Sequence, residues 1–509
     1  MLLAELVAAS QKVAATSARN GKIGALAACL APLEGDEVQI AVAYLSGETR
    51  QGKVGVGYAV LRKLDVPAAA EPSLTLLEVD AILEDLQSLK GAGSGKKRTQ
   101  LLGDLFGRAL AVEQEFLIKL LIGELRQGAL EGVMLDAVAQ AYALPPASVR
   151  RAMMFAANLG VVARAAREGG EAGLSEYKLQ LFRPLSPMLA QTASDAADAI
   201  AQLGEAAFEW KLDGARIQVH RQGEEVRIYT RALNEVAAVP EIVEAVLALP
   251  AKTLVLDGEA IAMKPDGTPH TFQTTMKRFS RKAGAEDRGE RLSPFFFDAL
   301  HIDGRDLLDA SGSERTAALH ALIPEAQRLP RLVTTDAQQA EAFVDRAIET
   351  GHEGVVAKSL TAPYQAGRRG AGWLKIKRAH TVDLVVLAVE WGSGRRQGTL
   401  SNLHLGARSD TEPGQFVMLG KTFKGMTDEM LAFQTQKLLE LETHRDDYTV
   451  YVRPELVVEV AFDGLQTSPH YPGGVALRFA RVKGYRLDKR GDEADTLAGV
   501  QKAAKYSAA

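Results

Sequence analysis

The sequence contains a single cysteine, Cys29, among its 509 residues. One thiol excludes a disulfide framework and a zinc site built from several cysteines, and it suits a reducing compartment. No run of about 18 uninterrupted apolar residues occurs, so the sequence predicts no membrane-spanning helix. The N-terminal segment is only mildly apolar and carries Glu5 and Lys12, which is untypical of a secretory signal. These absences lead us to expect a cytoplasmic protein.

The chain also lacks a strong excess of either charge, because it contains 60 Lys and Arg residues and 64 Asp and Glu residues. The formal net charge of -4 gives no support for nucleic-acid binding by the chain as a whole. A local basic surface remains compatible with such binding, since only the field over the binding face matters. The length exceeds what one hydrophobic core usually holds, so about two to four domains are expected.

Three regions that differ in composition and hydrophobic periodicity follow one another along the chain. Residues 1–175 repeat Leu, Ala, Glu and Arg at helical spacing, which predicts an all-α region, and the glycine-rich stretch 167–173 is expected to be the first linker. Residues 180–380 alternate apolar and polar residues, as in a predicted hairpin around Gly223, and favour an α+β domain. Residues 381–500 return to strands with one helix interposed, which is typical of a small OB-fold barrel.

The segment FEWKLDGAR, residues 208–216, places a lysine where a strand meets a tight turn. A lysine with its ordinary pKa of about 10.4 is protonated and cannot attack an electrophile. Burial or a neighbouring cation makes it a nucleophile, and Arg216 has the spacing to reach the same pocket as Lys211 across the turn. Asp213 and Gly214 let the turn close. A solvated turn with a Lys–Asp pair is the alternative interpretation.

Carboxylates and lysines on other predicted strands strengthen the chemical interpretation. Glu259 lies in LVLDGEAIAM, at the end of an apolar strand, and Glu353 comes just before the predicted buried strand GVVAKSL. Lys375 and Lys377 alternate on one face of WLKIK. Acidic and basic groups in this combination suit a polyphosphate and its divalent cation. Each piece alone is also compatible with a common turn, a helix end or the solvated face of an edge strand.

Six collinear motifs join these pieces: KLDGAR, YTRALNE, LDGEAI, FFFDAL, EGVVAK and WLKIKRA, with LRFARVKGYRLDK nearer the C-terminus. The set resembles the covalent nucleotidyltransferases and, among them, the ATP-dependent DNA ligases. The front region, with GAGSGKKRTQLLGDL, resembles the helical DNA-binding domain of some of these ligases. The resemblance implies a helical DNA-binding domain over residues 1–175, an α+β nucleotidyltransferase domain of ATP-grasp-like type over 180–380, and an OB-fold β-barrel over 381–500.

The resemblance also implies roles for individual residues. Lys211 would attack the α-phosphate of ATP, Glu209 would lie in the adenine pocket, and Phe297 would stack on the base. Further residues implied to bind the nucleotide or phosphates are Arg216, Arg231, Glu259, Arg369, Lys375, Lys377, Arg478 and Arg481. The required metal, Mg²⁺ or Mn²⁺, would be bound by Glu259 and Glu353. This chain has Gly484 where relatives often carry an arginine, and Lys483 beside it is the candidate substitute.

The activity implied is the sealing of nicks in duplex DNA through a lysyl-AMP and a DNA-adenylate, with release of pyrophosphate and AMP. We expect a monomer that acts on the nucleoid, binds nicked double-stranded DNA and has no membrane partner. A hinge is expected near residues 378–382, with Asp383 as a candidate hinge residue. Lys96, Lys97 and Arg98 are expected in a flexible loop that touches DNA phosphates.

Other activities are compatible with parts of this pattern. An RNA ligase or an mRNA capping enzyme would share the covalent lysine chemistry, but the helical front region and the long barrel argue against both. A catalytically silent DNA clamp or scaffold would need neither Lys211 nor the acidic residues. An NAD-dependent ligase is excluded, because its four-cysteine zinc site cannot be made from one cysteine.

Overall fold

The computed structural model describes residues 1–61, 64, 66–91, 93–125, 127–129, 131–236, 239–279, 291–365, 369–378, 380–393 and 396–504. None of the helices within these ranges is both long and apolar enough to cross a bilayer. The helices are α1 (Leu3–Ala14), α2 (Arg19–Leu30), α3 (Asp36–Leu45), α4 (Tyr58–Leu61), α5 (Leu76–Ser88), α6 (Ser94–Arg108), α7 (Ala111–Leu121), α8 (Glu131–Ala141), α9 (Pro146–Ala156), α10 (Leu159–Ser175), α11 (Ala196–Leu203), α12 (Pro240–Leu247), α13 (Phe272–Phe279), α14 (Gly312–Leu322), α15 (Ala337–Glu349), α16 (Asp428–Glu440) and α17 (Leu497–Ala503).

The strands lie between and after these helices. They are β1 (Leu189–Thr192), β2 (Ala206–Trp210), β3 (Ala215–Gln222), β4 (Glu225–Thr230), β5 (Thr253–Ala262), β6 (Leu292–Ile302), β7 (Arg305–Asp306), β8 (Arg331–Thr334), β9 (Gly354–Ser359), β10 (Arg369–Lys377), β11 (His380–Trp391), β12 (Leu400–Arg408), β13 (Phe416–Thr422), β14 (Glu442–Arg445), β15 (Thr449–Val452), β16 (Val457–Phe462), β17 (Gly464–Thr467), β18 (Val475–Arg478) and β19 (Arg481–Tyr485).

The first region is all α, as the helical periodicity predicts. Helices α1–α10 pack around one apolar core that extends from Leu3 to Leu174. Helix α9 begins at Pro146, where a missing backbone N–H costs nothing because first-turn N–H groups have no intrahelical partner. The expected linker at 167–173 is wrong in position, because these residues lie inside α10. Only Gly170, with φ of 57°, interrupts that helix, and alanine-rich helix formers flank it.

The basic stretch expected as a loop is largely helical. Gly93 adopts a left-handed conformation, and α6 begins at the next residue, so Lys96 and Lys97 lie in its first turns. The helix forms because Leu102, Leu105 and Phe106 recur at helical spacing and are buried. Both lysines are exposed, and the positive charge therefore lies at the start of a rigid element.

The middle region contains two five-stranded sheets. One has the order β1-β10-β9-β2-β8 and the other the order β4-β3-β5-β6-β7. All pairs are antiparallel except β1 with β10. The predicted hairpin is present as β3 and β4, joined through Gly223 with φ of 60°. Helices α11 and α15 cover the first sheet, and α12 and α14 pack on β6 of the second.

The last region is the expected OB-type barrel, with more strands than the sequence indicates. Strands β13-β12-β11-β15-β14 form its main path, and β16 connects β11 to β19. The Val482 N–H donates to the Lys424 carbonyl at 2.9 Å, which brings β19 back to the segment after β13. The predicted interposed helix is α16. Valine and leucine side chains from these strands fill a separate core.

A buried histidine anchors the segment that connects the helical region to the sheets. Phe182 has φ of 65°, and its N–H donates to Nδ1 of His220 at 3.0 Å. Nε2 of His220 lies 2.9 Å from the Gln218 side-chain oxygen, and the Tyr229 hydroxyl donates to the Phe182 carbonyl at 2.9 Å. The neutral ring satisfies both contacts. Burial, and to a lesser extent the charge of His301, lowers the pKa of His220 to about 3.

We predict that His220→Asn makes the stability of the protein less sensitive to acid. The parent must keep a buried ring neutral, so it loses stability as pH falls below the unfolded-state pKa of about 6.5. Asparagine does not titrate in this range. When the pH falls from 7.5 to 5, the free energy of unfolding of the parent should therefore decrease by about 2 kcal/mol more than that of the variant. Urea denaturation at several pH values measures it, and a constant difference would contradict the prediction.

Candidate active site

A cleft of about 530 Å³ draws its lining from both sheets of the middle region and from the barrel. Strands β2, β9 and β10 of the first sheet and β3, β5 and β6 of the second contribute residues to it. Helix α13 adds three apolar side chains, Phe272, Met276 and Phe279. The end of β18 adds Arg478, which is followed by Phe479. The cleft is therefore both charged and partly apolar, as a nucleotide site requires.

Lys211 lies in this cleft immediately after β2, fixed by the backbone of the neighbouring strand. Its N–H donates to the Gly354 carbonyl at 2.8 Å, and the Glu353 N–H donates to the Lys211 carbonyl at 3.1 Å. The Lys211 ammonium donates to the Glu353 carboxylate, and Lys377 Nζ lies 2.8 Å from the same oxygen. Burial raises the pKa of Glu353, but the charges of Lys211 and Lys377 outweigh it, so this pKa lies below its ordinary value.

The glycine of the turn is required by the strand that passes behind it. A Cβ at Gly214 would lie 2.5 Å from the Ala260 carbonyl oxygen and 2.9 Å from Cγ of Glu259. No side chain fits there unless the backbone moves. The turn that carries Lys211 is therefore packed directly against β5, which carries Glu259. The K-x-D-G spacing thus has a steric cause beyond turn propensity.

Arg216 and Glu259 are cross-strand partners on β3 and β5. The Arg216 guanidinium forms a bidentate pair with Asp257, at 3.1 and 2.5 Å, and donates to the Met188 carbonyl at 2.8 Å. The Tyr364 hydroxyl also donates to Asp257, at 2.7 Å. Burial raises the pKa of Glu259 to about 7, although the charges of Lys211 and Arg216 oppose that rise. Glu259 thus has no direct ion pair among the described residues, and a bound cation would favour its ionised form.

A second group of lining residues combines a buried carboxylate with aromatic rings. The Glu209 side chain is 5% exposed, and its Oε2 lies 2.6 Å from Nζ of Lys358. Lys358 also donates to the Phe297 carbonyl at 2.7 Å. The Phe297 and Trp373 rings meet edge to face, with centroids 5.9 Å apart. Phe296 is 1% exposed and belongs to the core, so Phe297 is the phenylalanine of FFFDAL that faces the cleft.

The barrel reaches the cleft through charged contacts. Arg478 NH1 lies 2.7 Å from Asp213, which belongs to the turn after Lys211. Asp463 lies 3.6 Å from Lys377 and 3.2 Å from Arg481. Gln273 of α13 exchanges two hydrogen bonds with the backbone of Thr467, at 3.1 and 3.2 Å. In this arrangement the barrel is closed over the cleft.

Ten of the twelve residues singled out from the sequence line the cleft: Glu209, Lys211, Arg216, Arg231, Glu259, Phe297, Glu353, Lys375, Lys377 and Arg478. Arg481 does not line it and pairs with Asp463 instead. The side chain of Arg369 is outside the part of the chain that the structure describes. A Cβ at Gly484 would meet no atom within 4 Å, so a longer side chain has space there.

Sequence reasoning missed several residues of the cleft wall, above all Lys358, Trp373 and the apolar residues of α13. For Trp373 the signal was present, because it shares the strand face of Lys375 and Lys377 while Leu374 and Ile376 are buried on the other. The same alternation applies to Lys358. Val355 and Ala357 are buried on one face of β9, so Lys358 lies on the opposite face, which lines the cleft. The side chains of α13 carried no such signal, because their position depends on tertiary packing.

The donors in the cleft fit a divalent cation that arrives with a phosphate ligand. Glu259 and Glu353 both face the cleft, but the described residues include no cluster of three or more His, Cys, Asp or Glu side chains suited to a metal. Two carboxylates leave most of an octahedral Mg²⁺ shell to water and substrate oxygens, which is the usual arrangement in nucleotide sites.

Models of three protein families match the chain. Residues 187–377 match "ATP dependent DNA ligase domain", residues 396–489 match "ATP dependent DNA ligase C terminal region", and residues 55–139 match "DNA ligase N terminus". A "Probable DNA ligase" of Anaeromyxobacter sp. (strain Fw109-5) is 59% identical over 508 residues, covering 98% of each chain. A second, from Mycolicibacterium gilvum (strain PYR-GCK), is 57% identical and covers 98% of this chain and 99% of its own.

A solved structure supports the fold as a whole. The chain named Pmar-Lig_PreS3 aligns with 94% of this chain and 99% of its own, with a TM-score of 0.62. Its sequence identity is 20%, so the likeness concerns the arrangement of elements only. The similarity extends through the helical region, the two sheets and the barrel.

We predict that Gly214→Ala destabilises the middle region. The added methyl group would overlap the Ala260 carbonyl, and relieving such overpacking costs about 1–3 kcal/mol. Urea unfolding followed by tryptophan fluorescence measures the loss, because Trp210 and Trp373 both lie in this region. Gly103→Ala in α6 is the matched control, since its Cβ meets no atom within 4 Å and alanine favours a helix. Equal effects of the two substitutions would show that the close approach is unimportant.

Proposed function

The chain belongs to the family of ATP-dependent DNA ligases, and from this premise we propose that it seals nicks in duplex DNA with Lys211 as its nucleophile. One observation carries the assignment of the nucleophile. Lys211 is fixed at the end of a strand and forms an ion pair with Glu353, which also pairs with Lys377, inside a cleft that holds a buried carboxylate and aromatic rings. A covalent nucleotide intermediate needs this combination of groups.

In the first step the Lys211 amine attacks the α-phosphorus of ATP. A P–N bond forms, the bond to the bridging oxygen breaks, and pyrophosphate leaves with that electron pair. The Lys211 ammonium must lose its proton before the attack, and the charge of Lys377, which pairs with the same carboxylate, favours the neutral amine. Lys375, Lys377 and Arg478 face the cleft and supply positive charge for the phosphate oxygens.

The later steps return the lysine to its starting state. A 5′-phosphate oxygen of the nicked DNA attacks the phosphorus of the lysyl-AMP, and Lys211 leaves as an amine that regains a proton. The 3′-hydroxyl then loses its proton and attacks the activated 5′-phosphate, which closes the backbone and expels AMP. Each displacement requires the entering and leaving groups to be in line, and a closed cleft provides such positioning.

The base is assigned to the part of the cleft with Glu209 and Phe297. An ionised carboxylate only accepts hydrogen bonds, and adenine presents its 6-amino group as a donor. The half-buried Phe297 ring offers a flat surface on which a base can stack. Arg216, Arg231 and Arg369 are proposed to contact nucleotide or phosphate. Arg481, which lies outside the cleft, is proposed to act through Asp463 in the closed arrangement.

Mg²⁺, or Mn²⁺, is proposed to be held by Glu259 and Glu353, and when bound it would neutralise charge on the phosphate oxygens. Glu353 is already paired with two lysines, so it can exchange a lysine contact for a metal contact with little rearrangement. Glu259 supplies a second oxygen donor close to the same turn.

The domain organisation is proposed to follow the boundaries expected from the sequence, 1–175, 180–380 and 381–500. The barrel closes over the cleft for the first step and must swing away for DNA to enter, with residues 378–382 and Asp383 as the proposed hinge. The helical region is proposed to bind nicked duplex DNA, the whole acting as a monomer on the nucleoid in the cytoplasm. Exposed Lys96 and Lys97 are suited to phosphate contacts, which carry no sequence information.

Family membership decides against the alternatives. An RNA ligase, a capping enzyme or a silent clamp is not favoured, since the three matched families are those of DNA ligases and all three regions are present. A catalytically silent scaffold would need neither Lys211 nor Glu353, yet both residues are present and in contact.

We predict that Lys211→Ala and Lys211→Arg both abolish covalent labelling by α-labelled ATP with Mg²⁺. Arginine keeps the positive charge beside Glu353 but is not deprotonated in proteins, so it cannot act as the amine. The parent should gain the mass of one AMP at Lys211 and lose it when nicked DNA is added. Label retained by either variant would reject Lys211 as the nucleophile. Lys119→Ala, which removes an exposed lysine on α7, serves as the control for preparation effects.

We predict that Lys96→Ala/Lys97→Ala weakens binding to nicked duplex DNA but leaves self-adenylation unchanged. Loss of two phosphate contacts should reduce the slope of log affinity against log salt by about 2. Fluorescence anisotropy at several salt concentrations measures the slope, and ATP labelling measures adenylation. An unchanged slope would show that the start of α6 does not touch DNA.

A further inference from the structure

Lys358 has no role in the chemistry proposed above, yet its ammonium lies among the groups proposed to surround the base, Glu209, Phe297 and Trp373. It lies on β9, and its side chain is 10% exposed. Its Nζ is 2.6 Å from Oε2 of Glu209 and 5.0 Å from the Phe297 ring centroid. The same atom is 4.7 Å from the Trp373 ring centroid. One ammonium therefore touches the carboxylate and both rings.

Lys358 joins the carboxylate to the aromatic rings. Its Nζ donates to the Phe297 carbonyl at 2.7 Å and lies 2.6 Å from Oε2 of Glu209, so one ammonium holds both groups. Arg331 approaches the other carboxylate oxygen at 3.3 Å. Each oxygen of an ionised carboxylate carries two acceptor lone pairs. The two cations thus supply counter-charge and leave acceptor capacity on Glu209 for a ligand.

A carboxylate held by two cations keeps acceptor lone pairs for a ligand that donates hydrogen bonds. Glu209 lines the cleft, so a bound base can provide such a donor. A donor at the 6-position is present in adenine and absent in guanine, which presents an acceptor there. A carboxylate that keeps its acceptor open therefore favours the first base and repels the second.

We propose that Lys358 is a positioning residue for nucleobase selection: it neutralises and aims Glu209 and ties it to Phe297, so that the cleft selects a 6-amino purine nucleotide. The inference rests on the proposed adenylation at Lys211. Lys358 is proposed to make no contact with the reacting phosphorus. Its substitution should therefore change nucleotide affinity and selectivity more than the adenylation rate at saturating nucleotide.

The test compares ATP with purine riboside triphosphate, which lacks only the 6-amino group, in self-adenylation of the full chain. A hydrogen bond to a charged group contributes about 1.5–3 kcal/mol. For the parent, the adenylation rate constant divided by KM should therefore be about 10- to 100-fold higher for ATP than for the analogue. In Lys358→Met the preference should fall to within about threefold of unity, mainly through KM for ATP. Because a preference is a ratio, it does not depend on the fraction of enzyme that is folded.

Two further variants separate positioning from a purely structural role. Glu209→Gln should lose the same preference, and adding Lys358→Met to it should change the preference no further, since both act through one hydrogen bond. Lys358→Arg retains the charge and should keep most of the preference, which also covers the case in which Lys358→Met fails to fold. Lys421→Met breaks a comparable lysine–glutamate contact with Glu390 on the barrel and should leave the preference unchanged.

The inference is overturned if Lys358→Met keeps the parental preference, if its effect and that of Glu209→Gln add independently, or if Lys358→Arg loses the preference completely. These outcomes are distinct from failure of the proposed function. A parent enzyme that never acquires label on Lys211 would refute the adenylation itself, whereas a labelled parent with an insensitive Lys358 variant would refute only the role in base selection.

Discussion

The backbone contact between the Lys211 turn and the start of β9 is the constraint on which the site depends. Lys211 and the pair Glu353–Gly354 exchange two main-chain hydrogen bonds, at 2.8 and 3.1 Å. These two hydrogen bonds fix the Cα positions of Lys211 and Glu353 relative to each other. Few side-chain rotamers are therefore needed to bring the ammonium and the carboxylate together. Lys211, the proposed nucleophile, and Glu353, a proposed metal ligand, are therefore placed by β-sheet geometry, which is rigid compared with a loop.

The second sheet contributes through close packing and charge. Gly214 allows the turn after Lys211 to lie against β5, and the same strand presents Asp257 and Glu259 in successive alternate positions. Asp257 is taken up by Arg216 and Tyr364, which leaves Glu259 as the carboxylate without a close ion pair. Two acidic residues of one short motif thus have different tasks. Asp257 fixes an arginine, and Glu259 is available to a cationic ligand, whose charge would oppose the burial that raises the pKa of Glu259.

The sequence was informative wherever a residue's position follows from a period or a steric rule. Alternation in WLKIK predicted the lysine face of β10, and the turn at Gly223 predicted the β3–β4 hairpin. It failed where distant packing decides. The glycine-rich stretch 167–173 is helical on both sides of a kink at Gly170 because α10 is held against α3 and α9, and the stretch around Lys96 is helical because its apolar face is buried. Lys358 was within a quoted motif, but its contacts with Glu209 and Phe297 join residues far apart in the chain.

The charged pairs at the barrel interface are also groups for which a polyphosphate would compete. Asp213 pairs with Arg478, and Asp463 bridges Lys377 and Arg481. These cations face, or lie next to, the place where phosphates are proposed to bind. A polyphosphate competes with the two aspartates for them, so its binding would replace contacts between the domains with contacts to the ligand. Part-exposed ion pairs of this kind contribute little to stability. We therefore propose that the interface closes for adenylation and reopens for DNA without a large cost in free energy.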